Sequence, residues 1–156
     1  MASPAERLYE QLLPLRSLCF LSRSKKADGW NGIGTGEVVV EQPDARALTF
    51  TETGLWQPDT GREVPFTNVF RWTVLGSERV RLEHLRFGPE KPVLLFELEP
   101  AQEKESESWV STAPHLCQDD CYSAVLGFEE SGVRLEWTVA GPRKSSRIVY
   151  VYSMSI

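Results

Sequence analysis

The chain has 156 residues, 41% hydrophobic and 25% charged, enough to bury a core and too apolar for a disordered polymer. Its 17 Lys+Arg against 22 Asp+Glu leave a formal net charge of -5, so the broad basic face that phosphate neutralisation requires is missing and no nucleic-acid partner is expected. Three widely spaced cysteines do not make a secreted disulfide framework, and no apolar run reaches the roughly 18 residues needed to span a bilayer.

The first predicted element is a helix over 4–18. Ser3 suits its cap, Pro4 its first position, and Leu8, Leu12 and Leu15 recur as one apolar stripe. Pro14 limits how far it runs as a regular element. Glu6, Arg7, Glu10 and Arg16 interrupt any signal-peptide core, so the expected location is cytoplasmic, with reduced thiols.

A short strand, Leu18 to Ser24, is expected next. Lys25 to Gly36 reads as a break ending in a glycine-rich hairpin. The spacing Gly32, Gly34, Gly36 is not a dinucleotide loop, because Val38, Val39 and Val40 continue as a strand and not as a helix.

Period-two alternation then recurs, marking strands with one buried and one wet face. It runs over Ala47 to Trp56, Phe66 to Leu75, Arg79 to Arg86, Pro92 to Glu99, Trp109 to Thr112, Cys121 to Glu129, Val133 to Ala140 and Arg147 to Met154. Residues 101–108, AQEKESES, form a polar surface loop. About nine strands joined by tight turns predict a single mainly β domain over 1–156. The expected architecture is an antiparallel up-and-down barrel with one N-terminal helix over a mouth; a β-sandwich is the alternative. Closure removes the exposed strand edges that an open meander would carry.

Phe50, Phe70, Trp72, Leu82, Phe96, Phe128, Trp137 and Tyr150 fall on inward faces. They either fill the core or line a ligand cavity. His84 and Arg86 continue the Val80–Leu82 face at a strand end, and Asn68 sits between Phe66 and Phe70.

The sequence HLCQDDCY, with His115, Cys117, Asp120 and Tyr122, precedes a GPRK turn carrying Arg143 and Lys144. These residues resemble an uncharacterised family, a domain of unknown function of small calycin-like proteins with H-L-C-x-x-D-x-Y and G-P-R-K motifs. The resemblance implies a lipocalin-like barrel and a shared site, with no known reaction. Cys121 lies outside that pattern, and the first strand lacks a lipocalin Gly-x-Trp signature.

Read chemically, HLCQDDC allows a zinc site, a Cys117–His115 nucleophile pair, or a satisfied polar knot that sets strand register. A metal is not expected, since no second ligand pair accompanies Cys117 and Cys121. His115, Cys117 and Tyr122 are the catalytic candidates, and no cofactor is expected.

The favoured function is binding of a small hydrophobic or amphipathic ligand with an anionic group. The expected binding residues are Trp72, His84, Arg86, His115, Asp120, Tyr122, Trp137, Arg143, Lys144 and Tyr150, with Tyr152 lining or gating. A structural or interaction protein with a filled barrel, self-association included, and a small barrel enzyme are the alternatives.

Overall fold

The computed structural model describes residues 2–25, 31–102, 107–112, 115–117, 120–142 and 145–155; for 115–117 and 120 it describes the backbone alone. A nine-residue helix, α1 (Pro4–Leu12), opens the chain. Ser3 Oγ accepts the Glu6 N–H at 3.2 Å and Pro4 occupies the first turn, so two of the orphaned donors there are removed or satisfied. Ala5, Leu8 and Leu12 are buried. The helix stops at Leu12, short of the expected Leu18, because Pro14 cannot continue the hydrogen-bond ladder. Leu15 still reaches the core, from non-helical backbone.

The strands follow as β1 (Ser17–Ser24), β2 (Gly32–Asp44), β3 (Ala47–Pro58), β4 (Val64–Val74), β5 (Val80–His84) and β6 (Val93–Pro100). Then come β7 (Trp109–Ser111), β8 (His115–Cys117), β9 (Asp120–Glu129), β10 (Gly132–Ala140) and β11 (Ser145–Ser153). Each pairs antiparallel with its sequence neighbours from β1 to β7, β9 pairs with β7 and β10, and β11 returns to β1. The result is a closed antiparallel barrel of ten strands. The short β8 lies along the same edge of β9 as β7, so β7 and β8 together take the place of one strand.

Gly32, Gly34 and Gly36 lie inside β2, paired with β1 and β3, and not in a hairpin turn as expected. The reason is a close approach. A Cβ on Gly34 would sit 2.2 Å from Phe20 Cε1, so the bare backbone is the seat for the Phe20 ring.

Strand direction sorts the connections into two ends. The helix end collects the turns after β2, β4, β6 and β9; α1 is tied there by the Ala5 N–H, which donates to Ser77 O at 2.9 Å, and by a Tyr9 hydroxyl–Gln42 amide hydrogen bond. The opposite mouth collects the connections after β1, β3, β5, β8 and β10.

Candidate functional site

The barrel interior changes character along its axis. In the helix half, Leu18, Leu48, Phe50, Leu82, Leu98, Leu126 and Leu135 are buried in one cluster. Toward the mouth, the interior carries Phe20, Phe66, Asn68, His84, Tyr122, Trp137 and Ile148, all only half-buried. Their inward direction follows from register: Phe20 pairs with Gly34 and the core Tyr150, His84 with the core Phe70, and Ile148 with Trp137. Residues that face the axis and still meet solvent make this end less completely buried than the helix half.

Aromatic rings pack together in the interior beneath that end. Tyr150 stacks on Trp137 at 5.7 Å and on Tyr152 at 5.6 Å, and Phe20 lies 5.1 Å from Tyr150 and 5.3 Å from Trp56. Phe70 meets Tyr150 and Trp137 edge-on.

At the boundary between the halves sits Glu52, with 0% of its surface exposed. It occupies β3 in phase with Leu48, Phe50 and Trp56, so the strand's own alternation turns its carboxyl inward. Burial penalises the charged form and raises its pKa from 4.5 to about 8, against opposing hydrogen bonding from Tyr152 and Asn68. The Tyr152 hydroxyl donates to Oε2 at 2.5 Å. Oε1 makes no hydrogen bond of ordinary length; the Asn68 side chain, directly across the ladder, is near enough to the carboxyl to favour its charged form. Burial pushes the Tyr150 and Tyr152 hydroxyls up as well, and the neighbouring Glu52 charge adds to this. Trp72 Nε1 and Trp137 Nε1 are also buried without partners. Each such atom costs about 1–3 kcal/mol in a finished core.

From Asn68 a polar line runs out to the rim. Asn68 Oδ1 lies 3.5 Å from His84 Nε2, and His84 Nδ1 accepts the Arg86 backbone N–H at 3.0 Å. This pattern fixes the neutral tautomer with hydrogen on Nε2. Burial, then the charge of Arg86, lowers the His84 pKa and favours that neutral form.

The expected site residues are thereby distributed. His84 and Trp137 face the half-buried mouth end of the interior, and Tyr150 is buried against Trp137. Trp72 is buried deeper, 6.0 Å from Phe50. Arg86 leaves the His84 face: it is exposed in the turn after β5, its guanidinium 5.0 Å from the Phe87 ring. His115 and Cys117 are paired in register with Tyr122 and Asp120. The side chains of His115, Cys117 and Asp120 lie outside the described residues, as do Arg143 and Lys144 altogether. The strand ends flanking Arg143 and Lys144, Ala140 and Ser145, stand at the same mouth as the β8–β9 connection. Among the described residues no cluster of three metal-ligating side chains occurs.

The interior Glu52 is the residue that sequence reading overlooks. Its signal is plain in ALTFTETGLW, where every second residue from Leu48 faces in and Glu52 is one of them.

A family model described as a family of unknown function (DUF6314) matches residues 21–154, and the chain belongs to that family. No curated protein and no solved structure matches it.

Proposed function

We propose that this member of a family of unknown function is a binding barrel for a small hydrophobic or amphipathic molecule with an anionic group. The molecule enters by the mouth opposite α1. One observation supports the reading: inward-facing Phe20, Phe66, Asn68, His84, Trp137 and Ile148 are only half-buried at the mouth end, whereas most inward residues of the helix half are fully buried. A barrel grown only for stability gains from filling both halves, since each buried aromatic contributes about 1.5–3 kcal/mol.

In this reading Trp137 and Tyr150 form an apolar wall and His84 and Tyr122 supply polar contacts. Arg143 and Lys144, from the turn beside the β8–β9 connection, meet the anionic end, and Arg86 adds charge at the rim. His115 and Asp120 set the β8–β9 edge. The calycin-like resemblance agrees with such a role, and neither a cofactor nor a reaction is invoked. The whole chain, 1–156, acts as one unit, and the unpaired thiols of Cys19 and Cys121 suit a cytoplasmic setting.

Native mass spectrometry of the protein purified from its own host tests this reading. The expected result is a second species heavier than the chain by one small molecule. Repeated recovery of the bare chain mass alone overturns it.

A second reading has its own observation. Leu21 and Ile33 are paired on the outer surface of β1 and β2, Leu55 lies diagonally beside them on β3, and all three are exposed. This apolar stripe suits an interaction protein that associates with itself. Sedimentation giving a clean monomer at high concentration removes that reading.

A further inference from the structure

We infer that Glu52 is the inner recognition group of the barrel, and that the guest presents an uncharged carbonyl-type acceptor to its carboxyl. This deepens the binding reading above and rests on it. Among the described residues, three buried side-chain polar atoms have no hydrogen-bond partner: Glu52 Oε1, Trp72 Nε1 and Trp137 Nε1. They project from β3, β4 and β10 into one interior, linked by ring contacts through Phe50, Phe70, Tyr150 and Tyr152.

All three need an acceptor. An indole N–H only donates. The Tyr152 hydroxyl already donates to Glu52 Oε2, so the proton of the neutral acid belongs on Oε1, the atom left unpaired. A carboxyl held neutral by an apolar site, beside a tyrosine, is a hydrogen-bond donor of the kind used to bind a carbonyl oxygen. An amine or ammonium end brings only more donors, and a carboxylate end would bury a charge among aromatic rings.

The groups that act on this carboxyl agree. Tyr150 and Tyr152 face it from β11 and Asn68 from β4, with His84 behind Asn68, and β2 presents Val38 across the ladder. Burial keeps the acid protonated up to about pH 8. Asn68, half-buried and directly opposite Glu52, brings solvent-reaching surface to the residue paired with it.

Calorimetric titration of the full chain tests the inference with two probes: a medium-chain fatty acid bearing a methyl ketone at its far end, and the saturated acid of equal length. At about pH 6 the keto acid is expected to bind about five- to tenfold more tightly, the worth of one net hydrogen bond. At about pH 9, where Glu52 is ionised and only accepts, that advantage disappears. Glu52→Gln, whose amide donates at every pH, retains it at both. Glu52→Leu loses it at both, and if either variant fails to fold the wild-type comparison decides alone. Equal binding of the two acids at about pH 6 overturns the assignment of Glu52 and leaves the binding barrel standing. Failure of both acids to bind overturns the two together.

Discussion

The helix half and the mouth half of the barrel come from the same strands and differ in what they demand of their side chains. Below Glu52 the interior is mostly leucine, with Phe50, Trp72, Val80 and Val133, at near-complete burial, while Val40, Val74 and Phe128 keep some exposure. Above it the inward positions mix rings with Asn68, His84 and Tyr122. Two glutamates show the difference at the scale of single groups. Glu83, on the outer face of β5, is nearly buried, but Arg71 Nε and Nη2 donate to it at 3.1 and 3.0 Å. Glu52 has a phenol on one oxygen and nothing on the other. A buried carboxyl with its cation is explained by structure; one without is a liability in the fold and so a pointer to function.

The sharpest break between the halves is expected from truncating two inward phenylalanines. Phe50→Ala, in the closed half, should cost about 3–5 kcal/mol in urea unfolding, since the cavity it leaves cannot collapse. Phe66→Ala, at the open half, should cost about 1–2 kcal/mol, in line with the smaller area it hides from water. Equal costs would mean that the mouth is packed as tightly as the core, and the binding reading would lose its footing.

The next effect is one of pH. Glu52 binds its proton more tightly in the folded chain, at about 8, than in the unfolded chain, near 4.5. Between those values the folded state holds the extra proton, so stability falls as pH rises, and the slope approaches about 1.4 kcal/mol per unit at most. Below the window nothing is lost, and above it the loss is complete. Glu52→Gln should flatten this part of the curve and overtake the wild type by about pH 9. A wild-type profile that is already flat there would place Glu52 in a wetter site than its full burial indicates.

A smaller effect tests the seam between the halves. Gly34→Ala should push the Phe20 ring off its seat, with an overpacking cost of about 1–3 kcal/mol. Adding Phe20→Ala should cancel most of that cost, because the three atoms nearest the new Cβ all belong to the Phe20 ring. Additive losses in the double variant would show that Gly34 is constrained by something other than Phe20.

How much of this was legible beforehand follows from how local each signal is. The strands after Ala47 and the barrel class were legible, because alternation is written residue by residue. The helix end was legible in part: the apolar stripe runs on to Leu15, but Pro14 ends the ladder at Leu12. The glycines of β2 misled, since a turn preference is local while Phe20 arrives from another strand. Glu52 lay in plain phase with its apolar neighbours. Its meaning, however, depends on Tyr152, one hundred residues away in sequence. The HLC and GPRK motifs were legible as neighbours at one end of the barrel, since successive antiparallel strands must return their turns to the same side. Their side-chain chemistry is not a matter of strand pattern at all.

The smallest effect concerns the rim, where the mouth half meets water. His84 Nδ1 accepts a backbone N–H, which a protonated imidazole cannot do, and burial and Arg86 both oppose protonation. The folded pKa therefore lies below the ordinary 6.5, and the group's contribution to stability is complete above that value. It is lost as pH falls from there through the folded pKa, the opposite direction to Glu52. With two histidines in the chain, an NMR titration compared with His84→Gln assigns the imidazole directly. The His84 signal should titrate below the ordinary value and return toward it when Arg86→Gln removes the nearby charge. If the imidazole titrates above the ordinary value, it is held by an acid and not by this line of neutral donors and acceptors. The polar path from the rim to Asn68 would then be broken at its first step. A normal value that Arg86→Gln leaves unmoved would instead mean that His84 stands in water, outside the mouth it is taken to line.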